Sequence, residues 1–219
     1  MRKALTEWAV VGFIAVTVVS VSTPAAATSG DGIAAPVSGR APRWPAPPPD
    51  RVVELATAAG LVPETAERLT YHVHAHLDVF VNGRRQTVPA GIGIVTTDPG
   101  VHAGTIKGQP AYGGIRVPCG QPCISPLHTH DVTGIIHTES ATRVNNTLGQ
   151  FFIEWGVPLS AQCVDTYCMP DTRIAIYVNG RRQRFADAAG IPLSDHKEIA
   201  LVIGRRPSRI PRSFDVSRA

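Results

Sequence analysis

Six of the chain's eight histidines fall into three short groups: His72, His74 and His76; His128 and His130; and His137. Neutral imidazole is a ligand for Zn, Cu, Fe and Ni, and it binds through a lone pair that one hydrogen bond on the other ring nitrogen sets free. Side chains at i, i+2 and i+4 of a strand share one face, so His72, His74 and His76 form a row spaced by about 7 Å. His128 and His130 repeat that spacing in Leu127-His128-Thr129-His130-Asp131, and His137 follows across a turn at Thr133-Gly134. Two such rows facing each other supply more nitrogens than one tetrahedral ion requires. The expected site is one centre formed by His74, His76, His128, His130 and His137, with His72 at its margin. Asp78, Asp131 and Glu139 are the carboxylates placed to orient the rings or to add ligands. With only Met1 and Met169 in the chain, a thioether site for cuprous ion is disfavoured, and Cu(II) or Zn is the metal expected first. His102 and His196 stand alone and read as surface or capping residues.

The elements that must position these rings are legible in the same pattern. His72 to Asn82 alternates with period two, Val73, Ala75, Leu77, Val79 and Val81 facing the core and His72, His74, His76, Asp78 and Phe80 the other side. Asn82-Gly83 marks a hairpin turn, with Gln86 to Ile94 expected to return as the partner strand. The unit recurs: Phe80-Val81-Asn82-Gly83-Arg84-Arg85-Gln86 is matched by Tyr177-Val178-Asn179-Gly180-Arg181-Arg182-Gln183. In that register His76, His74 and His72 align with Arg173, Asp171 and Met169, while the apolar face is kept. The hairpin therefore does not require histidine, which argues that the row serves chemistry rather than folding.

Elsewhere, Asp50 caps an expected helix over residues 51–59 that Gly60 ends, and a further helical turn is expected at 64–69. Residues 96–126 read as a long loop. Thr147 and Gln150 form a capping box for a helix whose stripe is Leu148, Phe151, Phe152 and Trp155, stopped by Gly156 and Pro158. Glu198 to Gly204 is a last strand. These elements predict an α+β fold, mostly antiparallel, with two divergent hairpin units near 71–94 and 173–204 and one or two packed helices.

The N-terminus has the parts of a secretory signal: Arg2 and Lys3, an apolar run from Trp8 to Val21, and a small-residue cleavage site at Ala25-Ala26-Ala27. The expected organisation is a signal peptide over 1–27, a Pro-rich linker over 28–49, one folded domain over 50–206 and a solvated basic tail over 207–219. Export changes the reading of Cys119, Cys123, Cys163 and Cys168, which then favour two disulfides, with three possible connectivities, over a thiolate metal site. Linking the 119/123 pair to the 163/168 pair would staple the long loop to the core. A net charge of +4 with scattered arginines gives no case for nucleic acid, and no run of 18 apolar residues predicts a membrane span.

The motifs Tyr71-His72-Val73-His74-Ala75-His76-Leu77, Val81-Asn82-Gly83, Leu127 to Asp131 with Gly134-Ile135-Ile136-His137-Thr138-Glu139, and Thr147 to Phe152 resemble an uncharacterised family of exported bacterial proteins. The resemblance spans roughly residues 70–210 and implies no reaction. The residues themselves point to an extracytoplasmic protein that binds Cu(II) or Zn for buffering, delivery or sensing. The alternatives are a metal-dependent hydrolase or oxidase using Glu139 or Asp131 as base, and a metal-free interaction domain docking through hairpin edges and the arginine tail. HExxH and GxSxG signatures are absent.

Overall fold

The computed structural model describes residues 43–115 and 117–218; the expected signal peptide and the linker up to residue 42 lie outside them. Its main sheet has the order β10-β9-β11-β1-β6-β5, with β2 beside β1. These strands are β1 (Tyr71–Val81), β2 (Arg84–Gln86), β5 (Leu127–His128), β6 (Ile135–Ser140), β9 (Ile174–Val178), β10 (Arg181–Gln183) and β11 (Lys197–Ile203). Two small hairpins stand apart, β3 (His102–Ile106) with β4 (Gln109–Gly113), and β7 (Cys163–Val164) with β8 (Tyr167–Cys168). Every pairing is antiparallel except one: β1 and β11 run parallel, with His76 opposite Glu198. The α+β reading holds.

Each face of the sheet has its own cover. On one side Ala75, Leu77, Val79, Val81, Ile136, Ile176, Ile199 and Leu201 pack against α1 (Val52–Ala58) and α2 (Leu148–Glu154). Both arms of the Thr147–Gln150 capping box are made, and Leu148, Phe151, Phe152 and Trp155 are all essentially buried. At about 1.5–3 kcal/mol per buried side chain, this stripe is a principal anchor of the fold. Glu154, beside that stripe, is also buried, and burial pushes its carboxyl well above the usual range, only partly offset by the Ser125 hydroxyl. The opposite face carries the histidines at one end and an apolar patch of Phe80, Ala200, Val202 and Ile210 at the other.

Several expectations change. Asp50 sits in a 3-10 turn and caps nothing; α1 starts at Val52 without a side-chain cap. No helix forms at 64–69, because the Glu64 backbone pairs with Ile124 instead. The partner strand expected over 86–94 ends at Gln86: Pro89 has no N–H to donate, and Gly91 and Gly93 adopt positive φ. Both Asn-Gly turns do form, with Asn82, Gly83, Asn179 and Gly180 all at positive φ as a two-residue hairpin requires. The loop over 96–126 contains the β3–β4 hairpin.

The cysteines pair locally, Cys119 with Cys123 and Cys163 with Cys168, rather than across the molecule. Cys163 and Cys168 are directly opposed in the β7–β8 hairpin, so register alone brings them together. The folded unit also extends past both expected ends. Trp44 packs edge-on against Trp155 and donates to Asp165, while the Trp155 indole donates to the Trp44 carbonyl. Beyond 206, the tail folds back, with Ile210 buried in the patch on β1 and β11 and Phe214 stacked on His76. Among the described residues no helix is long and apolar enough to cross a membrane.

Candidate metal centre

Strand register assembles the centre. On β1 and β6, His74 lies opposite His137 and His72 opposite Glu139, while β5 sets His128 beside His137. The Glu139 Oε1 atom then stands 3.2 Å from His72 Nε2, 3.5 Å from His137 Nδ1, 3.7 Å from His128 Nε2 and 3.8 Å from His130 Nε2. His128 Nε2 and His130 Nε2 are 3.1 Å apart, and His72 Nε2 and His137 Nδ1 3.3 Å. Ligands bound at 2.0–2.1 Å in a tetrahedron are separated by about 3.3–3.4 Å. The donors therefore already have the mutual spacing of a coordination shell.

Tautomers sharpen this. His128 Nδ1 lies 2.8 Å from the Ser125 carbonyl and His130 Nδ1 lies 2.5 Å from the Tyr112 carbonyl. A carbonyl only accepts, so both Nδ1 atoms carry the hydrogen and donate, and in the neutral rings both Nε2 atoms are bare lone pairs. Two lone pairs and a carboxylate oxygen so close repel one another unless a cation, a proton or a metal ion, sits among them. The carbonyls are the orienting shell that metal-bound histidines use. Gly113, at positive φ, makes room for this: a Cβ there would run into the His130 imidazole.

Charge follows the same geometry. Burial alone would raise the Glu139 carboxyl, but the imidazoles of His128, His130 and His137 gathered around it outweigh burial and hold the group ionised well below the usual carboxylate range. Burial would lower His130, yet its contacts with Glu139 and the Tyr112 carbonyl win and raise it above 6.5. His137 is pushed down to about 3, first by burial and then by the neighbouring His128, His130 and His74. His74 is lowered by burial and by His72, and its Nε2 is buried without a hydrogen-bond partner. Metal-free, His130 therefore gives up its proton less readily than a free imidazole, while His137 stays neutral.

Two donor groups meet here, His128, His130, His137 and Glu139 in one and His72, His74 and His137 in the other, each compact enough to hold a metal ion. His137 belongs to both. Access is from the His72 and His130 side, whose side chains keep 33% and 25% of their exposure against 0% for His128.

His76 does not join them. It shares the strand face, but its Nδ1 lies 2.8 Å from Glu198 Oε2 and its Nε2 2.9 Å from the Thr133 carbonyl, with Asp78 completing a third donor group. The row divides because β1 changes neighbours along its length: His72 and His74 face Glu139 and His137 of β6, whereas His76 faces Glu198 of β11. Asp131 is likewise diverted, its Oδ1 accepting from the Thr133 N–H and hydroxyl to build the turn before β6. His102 and His196 are exposed and outside all three groups. Sequence reasoning missed Glu198, whose alternation within Glu198 to Gly204 placed it opposite Ile199, Leu201 and Ile203, on the face that β1 gives its histidines. It also missed Ser125 and Tyr112, which act through backbone carbonyls and leave no side-chain signal. Comparison with protein-family models, curated proteins and solved structures finds no match to this chain.

Proposed function

We propose that the protein is an exported binder of Cu(II) or Zn, serving metal buffering, delivery or sensing, with His128, His130, His137 and Glu139 as the principal ligands. His72 and His74 extend the site through His137. The observation that carries this reading is the pair of Nε2 atoms 3.1 Å apart, each turned into the site by a carbonyl that takes the Nδ1 hydrogen on the far side of its ring. Binding is favoured over hydrolysis or oxidation because Glu139 Oε1 is ringed by four imidazoles as a donor of the same shell, and Asp131 is committed to its turn. Export is supported by the two local disulfides and the signal-like N-terminus. The test is elemental analysis of the mature chain purified from its own export compartment, with spectroscopy for Cu(II). Stoichiometric Cu or Zn supports the proposal; a metal-free chain that also takes up neither ion in titration refutes it.

Gly113→Ala provides a further check on the orienting shell. The added methyl displaces the His130 ring from the Tyr112 carbonyl, and loss of such a partner costs about 10- to 100-fold in metal affinity. Competition titration against a chelator reads the effect. Affinity equal to wild type would show that this carbonyl does not set the His130 ring.

A further inference from the structure

Beyond that centre, the sheet face carries His76, Asp78 and Glu198, side by side and buried. Glu198 is 1% exposed; its Oε2 bonds His76, but its Oε1 is buried with no hydrogen-bond partner. An ionised or neutral carboxyl oxygen left unpaired in the interior is costly, and such a group marks a position that another ligand completes. The carboxyl lines a cavity of about 270 Å³ together with His76, Asp78, Arg85, Thr133 and Phe214. Phe214 forms part of its wall, its ring stacked on His76 at 5.1 Å between centroids.

Arg85 fills the cationic role at present. Its guanidinium is 2.5 Å from Asp78 Oδ1 and 3.3 Å from both His76 Nε2 and the Thr133 carbonyl. Yet Arg85 sits on the short strand β2 and its side chain is 56% exposed, so solvent takes up the guanidinium when an ion replaces it beside Asp78. The geometry points to a second, independent divalent-cation site in which His76, Asp78 and Glu198 bind the ion and Arg85 competes with it for Asp78. The ion takes the place of the hydrogen between His76 Nδ1 and Glu198 Oε2, which leaves as a proton to water, and the cavity holds the remaining water ligands. One nitrogen and two carboxylates form a harder donor set than the histidine centre, of the kind that also takes Mn²⁺.

Mn²⁺ is therefore the probe, because it ranks lowest among the divalent first-row ions at imidazole-rich sites. The loss of the free-ion electron paramagnetic resonance signal, measured on the full mature chain, counts bound Mn²⁺. The wild type is expected to bind one ion, Glu198→Gln to bind it at least tenfold more weakly, and Arg85→Ala to bind it at least tenfold more tightly. The gain in Arg85→Ala cannot come from misfolding, so it decides the matter should Glu198→Gln unfold. His128→Ala combined with His130→Ala is expected to leave Mn²⁺ binding unchanged. Mn²⁺ binding that is lost in that double variant, or that is absent or unaltered in Arg85→Ala, overturns the second site. Failure of the histidine centre reads differently, as unchanged Zn²⁺ or Cu²⁺ uptake in the double variant.

Discussion

Replacing His128 and His130 together by alanine is expected to abolish stoichiometric Zn²⁺ or Cu²⁺ binding at the centre, while His76→Ala leaves it intact. The pair supplies two of the four principal donors, and both rings are pre-set by carbonyls, so neither has to be ordered when the ion arrives. Four-ligand structural sites are worth about 10–16 kcal/mol; losing half the donors weakens binding by more than about a thousandfold. His128 is fully buried, so its removal also leaves the Ser125 carbonyl without its donor, at about 1–3 kcal/mol in stability. That loss leaves the stripe of α2 and the core face of the sheet untouched. Isothermal titration alongside circular dichroism separates the two effects. A folded double variant that takes up Zn²⁺ or Cu²⁺ with the same stoichiometry and affinity as the wild type would reduce the constellation to a polar sheet face. Loss of binding in His76→Ala alone would move the centre to the single five-histidine arrangement that sequence spacing suggests.

Acidification is expected to release the metal with a slope of at least about one decade of affinity per pH unit, beginning above pH 6.5. The sign follows from which groups must lose a proton. Metal binds the bare Nε2 of His130, and in the metal-free protein that ring is held protonated to a pH above 6.5 by Glu139 and the Tyr112 carbonyl. Below its raised pKa, each pH unit adds tenfold to the competing proton. His137, pushed down to about 3, and Glu139, held ionised, give up no proton in that range and add no slope. Titrations from pH 5 to 8, in buffers of differing ionisation enthalpy, count the protons released. Affinity flat across that range would show that His130 is not a ligand.

What could be read from the residues in order was whatever local physics dictates. The period-two alternation of His72 to Asn82 put His72 and His74 on one face and Leu77, Val79 and Val81 on the other, and the structure keeps both sets there. The Thr147–Gln150 capping box and the stripe behind it, the two Asn-Gly turns and the final strand are likewise local signals, each decided by backbone preference or by periodicity. Donor types were legible for the same reason: only imidazole and carboxylate spacing was needed.

What sequence spacing could not decide was which histidines share an ion. His76 parts from His74 because β11, some 120 residues downstream, runs parallel to β1 and places Glu198 opposite it. No local preference chooses between that strand and another neighbour; only the burial of both sheet faces does. The Ser125 and Tyr112 carbonyls that set the His128 and His130 tautomers belong to main chain, which carries no residue-type signature at all. The fold of the tail over His76 was equally hidden: its arginines read as a solvated extension, while Ile210 packs with Phe80, Ala200 and Val202 and Phe214 stacks on His76. The residues determined that the chain could bind a metal; the parallel pairing of two distant strands decided that their donors divide into a histidine centre and a separate carboxylate-rich cluster.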